Sequence, residues 1–410
     1  MTFRTQKILI LGGLIILVGG LGTLIYFVFF KPDRPVPSTS PTISNEQPTA
    51  PGTLPGAGQA GVRPTPSPTE PGALPEATPV AIGGRTETTK LTLTGITDPV
   101  VGADGASVNF FDPADGKFYA IDKDGNRRAL LQDTFPGANN VVWSPRADQA
   151  IVEFPDGANV SVDLRSGEKV TLPSHWEDFE FSPKSNGQIA AKSIGTDPGN
   201  RWLVIANADG SQAQTVAALG RNQDKVQVSW SPNDQVIAFS DTGVVVAGFG
   251  RKQMLAIGKN QENFPGLMVE GFSFEPIWNT DGSQILYSTH GPSSNYLPQV
   301  WLTDGTSSTL GENRRSIALN TWADKCTYAD ATTAFCAVPK NLPAGSGLQR
   351  TLAFGEPDAV YRIDTRTGSV ATVGEPESPT SMTNLQVSED GSTLYYQDAK
   401  SGTLQFFRLR

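Results

Sequence analysis

From about residue 88 onward, apolar and polar positions alternate in short runs rich in Val, Ile, Phe and Tyr, and each run is stopped by Asp-Gly, Ser-Pro or a similar pair. That alternation is the period of a strand, and the stopping pairs supply the positive φ angles that hairpin turns need. One unit recurs. Its clearest copy is VSWSPNDQVIAFSD (228–241), with relatives at VVWSPRADQAIVEF (141–154), FEFSPKSNGQIAAKS (179–193) and PIWNTDGSQILYST (276–289). Weaker copies start at Cys326 and Leu385 and a divergent one at Val100, which makes seven. The aligned aromatics Trp143, Phe181, Trp230, Trp278 and Tyr328 are 38, 49, 48 and 50 residues apart, the length of a four-stranded propeller blade. The last copy has three strands before Arg410, and an orphan strand, KLTLTG (90–95), precedes the first. Pairing the two closes a ring and leaves no long strand edge exposed. The predicted fold is all-β: a seven-bladed β-propeller of four-stranded antiparallel blades over 89–410, with one transmembrane helix and a disordered Pro-rich linker ahead of it.

Those first 88 residues have a different pattern. Positions 8–30 form 23 consecutive residues without a charge, enough at about 1.5 Å per residue to cross a hydrocarbon core of about 30 Å. They predict a membrane span rather than a cleaved signal peptide, because the apolar run is long and ends in Phe29, Phe30, Lys31, Pro32. Arg4 and Lys7 in the 1–7 tail predict a cytoplasmic amino terminus and an extracytoplasmic propeller, in the periplasm or at the cell surface. Residues 31–80 hold 13 of the 31 prolines and no aromatic, so 31–88 reads as a solvated stalk that cannot build a core.

The W-S-P-x-D-x-x-I-A-F pattern resembles the WD40-like (PD40) repeats of TolB-type β-propellers, and KCTYADATTAFCAVPKNLP (325–343) resembles membrane-anchored bacterial forms of such propellers. The resemblance covers 90–410 and implies the fold, not an activity, since propellers serve as enzymes, receptors and scaffolds alike.

Composition then removes function classes. A formal charge of -9 is wrong for a phosphate-binding surface, so no nucleic acid is expected as partner. With two histidines and two cysteines, His and Cys metal centres lack ligands, and neither a metal nor a cofactor is expected. No G-x-S-x-G elbow occurs, so the chain is not expected to be an enzyme and no catalytic residue is assigned. Cys326 and Cys336 are equidistant from Ala331, so a hairpin there sets them opposite each other, as a cross-strand disulfide or as two buried thiols; the disulfide is the expectation. The once-per-blade aromatics keep the phase of the repeat and read as packing.

The remaining signal is loop length. Turns joining strands one to two and three to four share one face of an up-down meander, and the other connections share the opposite face. The long connections are predicted to lie on that second face: 133–140, 173–178, 195–200, 260–275, 290–298, 311–320, 340–358 and 375–384. Its binding candidates are Phe135, His175, Trp176, Phe264, His290, Tyr296, Arg314, Arg315, Arg350 and Phe354, each weighed against a plain packing role. The same parity argument places the stalk at the tight-turn face and points the loop face away from the membrane. The expected function is a protein- or peptide-binding or scaffolding module at the cell envelope. The alternatives are an enzyme with a carboxylate-lined axial pocket and a glycan- or cell-wall-binding surface protein. Oligomeric state is not readable from the chain.

Overall fold

A computed structural model describes residues 75–410 except Asn186 and 247–249. The predicted tail (1–7), span (8–30) and stalk up to residue 74 lie outside the described residues. Among the described residues no helix is long and apolar enough to cross a membrane.

Seven antiparallel sheets follow one another along the chain. Their inner strands are Thr97–Val101, Asn140–Trp143, Trp176–Phe181, Val226–Val228, Phe272–Trp278, Cys326–Tyr328 and Met382–Val387. Six blades are up-down meanders of four consecutive strands, and the seventh borrows its outer strand from the start of the chain. This is a seven-bladed β-propeller. Apolar side chains fall into seven clusters, one in each seam between blades. The repeat aromatics fill those seams: Trp143 of the second blade meets Phe118 of the first edge-on at 5.3 Å, and Trp278 of the fifth stacks on Phe239 of the fourth at 5.8 Å. Their indole N–H groups are satisfied by Asp98 O (2.6 Å) and Ser229 Oγ (3.0 Å). Trp230 is fully buried and donates to Asp234 Oδ1 at 2.8 Å.

Closure occurs where the sequence placed it, but with a shorter strand than 90–95. Thr89–Lys90 pairs antiparallel with Leu404–Arg408, and Leu91 N and Thr92 N both donate to Leu404 O before the chain turns into the first blade. The linker, expected to extend to 88, in fact joins the propeller earlier. Arg85–Thr86 adds a fifth strand, parallel, to the outer strand of the sixth blade, Ser369–Pro376. Thr78 N donates to Arg85 O and Glu87 N to Thr78 O, so 78–87 folds into a buckle. Ala81 N reaches Arg408 O of the seventh blade and Gly83 N reaches Val373 O of the sixth. A Cβ at Gly374 would lie 2.5 Å from Thr86 Oγ1, so the strap closes only over a glycine. A run this short, without an aromatic, gave no strand signal; backbone pairing to an open edge supplies what apolar burial does not.

The strap also corrects the predicted attachment. Arg85 donates to Pro75 O (2.8 Å) and Glu377 O (2.9 Å). Glu377 follows the outer strand of the sixth blade, where the chain crosses at the loop face, so Pro75, the first described residue, lies at the outer rim beside that face and not at the tight-turn face. Strand 90–95 is not the first ordered element: the strap at 78–87 precedes it and sets the attachment.

Candidate functional site

The longest connection joins the second strand of the sixth blade, Thr333–Pro339, to its third, Asp358–Asp364. Lys340 N donates to Pro357 O (2.9 Å), which closes its base. Its first half lies on the 291–298 loop of the fifth blade through Gly345 N to Asn295 O (3.1 Å) and Gly347 N to Tyr296 O (2.7 Å). Asn295 and Tyr296 have φ of 52° and 55°, and at Gly347 a Cβ would come within 2.4 Å of His290 Cβ. The two loops therefore meet only because the upper one has a glycine there. The second half contains a 3-10 turn, Arg350–Ala353, and exposes Leu348 (62 %), Leu352 (46 %) and Phe354 (70 %).

Under this loop, charge is concentrated. Arg350 pairs with Asp324 (2.7 Å) and lies over the ring of buried Trp322 at 4.8 Å. An exposed pair and an exposed cation–π contact are each worth only about 0.5–1 kcal/mol, so Arg350 is placed there rather than locked. Lys325 is different. It is buried and holds both oxygens of buried Asp358 at 2.9 and 2.7 Å, while Asp358 Oδ2 also accepts Met382 N at 2.6 Å. Three segments are tied there: the crossing from the fifth blade, the third strand of the sixth and the inner strand of the seventh. Burial pushes Asp358 up and Lys325 down, each against the pull of its partner.

A cleft of about 460 Å³ opens beside them, lined by Trp322, Arg350, Phe354, Ser381, Thr383 and Gln397 among others. That volume falls in the usual range for ligand sites, and an exposed phenylalanine at its rim has no partner in the fold. Glu275 lies at the edge of this region; burial first, then the nearby Asp324 charge, raises its pKa, and Ser288 Oγ donates to it at 3.2 Å. Farther round the ring, burial raises Asp98 and Glu153. Glu180, on the inner strand of the third blade, is raised to about 7 by burial, against one hydrogen bond from the Trp230 backbone.

The predicted candidates separate into groups. Arg350 and Phe354 belong to the cleft. Tyr296 supports the loop above it, and His290 is buried under Gly347 and 6.1 Å from the Phe272 ring, where burial lowers its pKa. His175 is exposed on the loop face where the chain crosses from the second blade to the third, away from the cleft at the sixth and seventh blades. Phe135, Trp176 and Phe264 are buried in seam clusters and unavailable to a ligand. Phe264 and Arg314 also sit on the wrong face: 259–266 and 305–314 join third to fourth strands in the fourth and fifth blades, so these two long connections belong with the tight turns. Arg314 is spent on Glu270 (2.9 Å) and Met268 O, and Arg315, on an outer strand, on the carbonyls of Thr365 and Arg366.

Sequence reasoning missed Trp322, Asp324, Lys325, Asp358, Leu348 and Leu352. One signal was present. Three residues before each repeat aromatic stand Asn140, Asp178, Gln227 and Glu275, all acids or amides, and before Tyr328 that position is Lys325. A cation alone in that column marks the blade whose neighbour must supply a carboxylate.

Cys326 and Cys336 are directly opposed in register and joined by a disulfide within the same blade. No group of three or more His, Cys, Asp or Glu side chains among the described residues is placed to hold a metal ion.

The class that fold and site define is a β-propeller with one built-up loop face. No family model matches the chain, and no curated protein matches it. Solved structures do. The chain is similar to the β-propeller domain of Cps50 (Swd1) from Myceliophteria thermophila, at 10 % identity and a TM-score of 0.51, over 78 % of this chain and 99 % of that one. It is also similar to an oligogalacturonate lyase in complex with manganese (13 %, TM-score 0.53, 79 % and 93 % covered) and to the oligogalacturonate lyase of Vibrio parahaemolyticus (11 %, TM-score 0.52, 78 % and 93 %). At such identities the likeness concerns the fold alone.

Proposed function

We propose that this propeller is a non-catalytic binding module that takes an extended peptide or protein segment on its loop face, in the cleft roofed by the 340–357 loop. The observation that carries this reading is Phe354, exposed at the rim of a cleft that Trp322 also lines, with Leu348 and Leu352 exposed on the same loop. A partner with apolar side chains covers those three residues and removes their area from water, at roughly 25 cal/mol per Å². Both cations at the cleft, Arg350 and Lys325, already have carboxylate partners, so the site favours apolar over anionic ligands. The uncharged stretch at 8–30 supports a membrane anchor with the propeller outside the cytoplasm, and the Cys326–Cys336 disulfide supports an oxidising compartment. The repeat pattern supports a relationship to TolB-type propellers.

The test is a photo-crosslinking residue at Phe354 in the full chain, compared with one at Lys123 on the tight-turn face, in intact cells. The expected result is a discrete adduct from position 354, lost when Leu352 is changed to Ser. Equal labelling from both positions, or none from either, sinks the reading. A second reading, an enzyme with an axial carboxylate, has one observation in its favour: Glu180, with a pKa near 7, is suited to moving a proton. Oligogalacturonate lyases show that this fold can host an enzyme.

A further inference from the structure

On the opposite face, between the third and fourth blades, lies a smaller cleft of about 310 Å³ with a different chemistry. Six of its eleven lining residues carry carboxamides: Gln188, Asn207, Gln212, Gln214, Asn260 and Gln261. Amide side chains are 38 of 410 in the whole chain, so this wall is enriched about sixfold. Its one charge is neutralised, since Lys259 Nζ is held by Asp234 Oδ2 (2.8 Å) and Gln188 Oε1 (3.1 Å). Ile205, Ala206 and Val216 give it an apolar base. Among the described residues, the side chains of Gln212, Gln214 and Gln261 have no hydrogen-bond partner in the protein. Gln212 and Gln261 stand at φ of 55° and 61°, left-handed positions that glycine or asparagine occupies at less cost. Long amides stand there although the turns do not need them.

A carboxamide offers two donors and an acceptor without a charge to desolvate. Several around an apolar floor match a ligand with many hydroxyls on its edge and C–H groups on its face. Peptides, nucleotides and lipids fit worse: the cleft has neither an aromatic wall nor free cations, and it is at the small end of ligand sites. We propose that this cleft is a binding site for a neutral saccharide of one or two rings, distinct from the loop-face site.

The test uses the full chain in detergent micelles with cellobiose, maltose and N,N′-diacetylchitobiose as probes, followed by saturation-transfer NMR titration. The expected result is saturable binding of at least one of them, weakened about tenfold or more, about 1.4 kcal/mol, by Gln212→Gly, Gln214→Ala and Gln261→Gly together. These three changes suit their backbone positions and remove no internal bond, and unchanged thermal unfolding confirms an intact fold. Phe354→Ser leaves the affinity within twofold, which separates this site from the peptide face. No saturable binding of any probe at millimolar concentration, or affinity indifferent to the triple variant, overturns the proposal.

Discussion

The carboxylates of the two faces behave in opposite ways. On the tight-turn face, Asp122, Asp163, Asp209, Asp364 and Asp390 lie at hairpin corners and accept hydrogen bonds from Asn126, Ser166, Ser211, Thr367 and Ser388 respectively, so their pKa values fall, that of Asp390 to about 2. Toward the loop face, Asp358 is buried and Asp98, Glu153 and Glu275 are half-buried by neighbouring blades, and that desolvation raises all four. Glu180, on the inner strand of the third blade beside the Trp230 backbone of the fourth, is raised to about 7. Asp241, lowered through Lys252 in spite of partial burial, is the exception near the loop face. The same residue type therefore punctuates turns on one side and ties blades together on the other. Only the first use follows a local rule.

The hardest way to break the contrast is at the buried pair. Lys325→Met leaves Asp358 buried with one backbone donor, and a loss of about 3–5 kcal/mol is expected in chemical denaturation. A loss below about 1 kcal/mol means that the loop-face charges tie nothing. Next comes the disulfide: replacing Cys326 and Cys336 with Ala is expected to cost about 2–3 kcal/mol, because the bridge closes a loop with a separation of only 10 residues. Unfolding with and without reductant measures the same quantity.

The pH dependence sharpens the comparison. Glu180 has a folded value near 7 against an ordinary 4.5, so the native state binds the extra proton between those pH values. Its contribution is complete below about pH 4.5 and is lost as pH rises through 7. Glu180→Gln keeps the acceptor for the Trp230 amide, and it is expected to raise stability at pH 8 by about 1–3 kcal/mol and flatten that slope. The turn face has the reverse sign. Asp390 stabilises above the ordinary aspartate range, and that stability is lost as pH falls toward 2. Asp390→Asn is expected to shallow the acid limb while leaving the 4.5–7 limb unchanged. The smallest effect on stability belongs to Phe354→Ser, within about 0.5 kcal/mol, although it is the change expected to abolish partner capture.

How much of this was legible follows from the range of each signal. Blade number, the ring-closing pair and the opposed cysteines rest on local periodicity and spacing, which the chain repeats seven times. The strap was not legible, because Arg85–Thr86 is held by pairing with residues 290 positions away and has no apolar pattern of its own. Phe264 and Arg314 lie on the tight-turn face despite their long loops, because strand count and not loop length decides the side. Phe135 and Trp176 looked like loop aromatics in sequence and proved to be seam fillers, a distinction that only the neighbouring blade makes.

One mechanical consequence comes from the strap. The chain at Pro75 meets the disk at its circumference, by the sixth blade, and not on the symmetry axis. A pull on Pro75 is therefore a torque as well as a lift: it tips the disk about its far edge. The first hydrogen bonds to carry that load are those of Thr78, Arg85 and Glu87, with the closing strand Thr89–Lys90 sheltered behind them. A pull applied there strains this buckle, and opens it, before the ring itself begins to open.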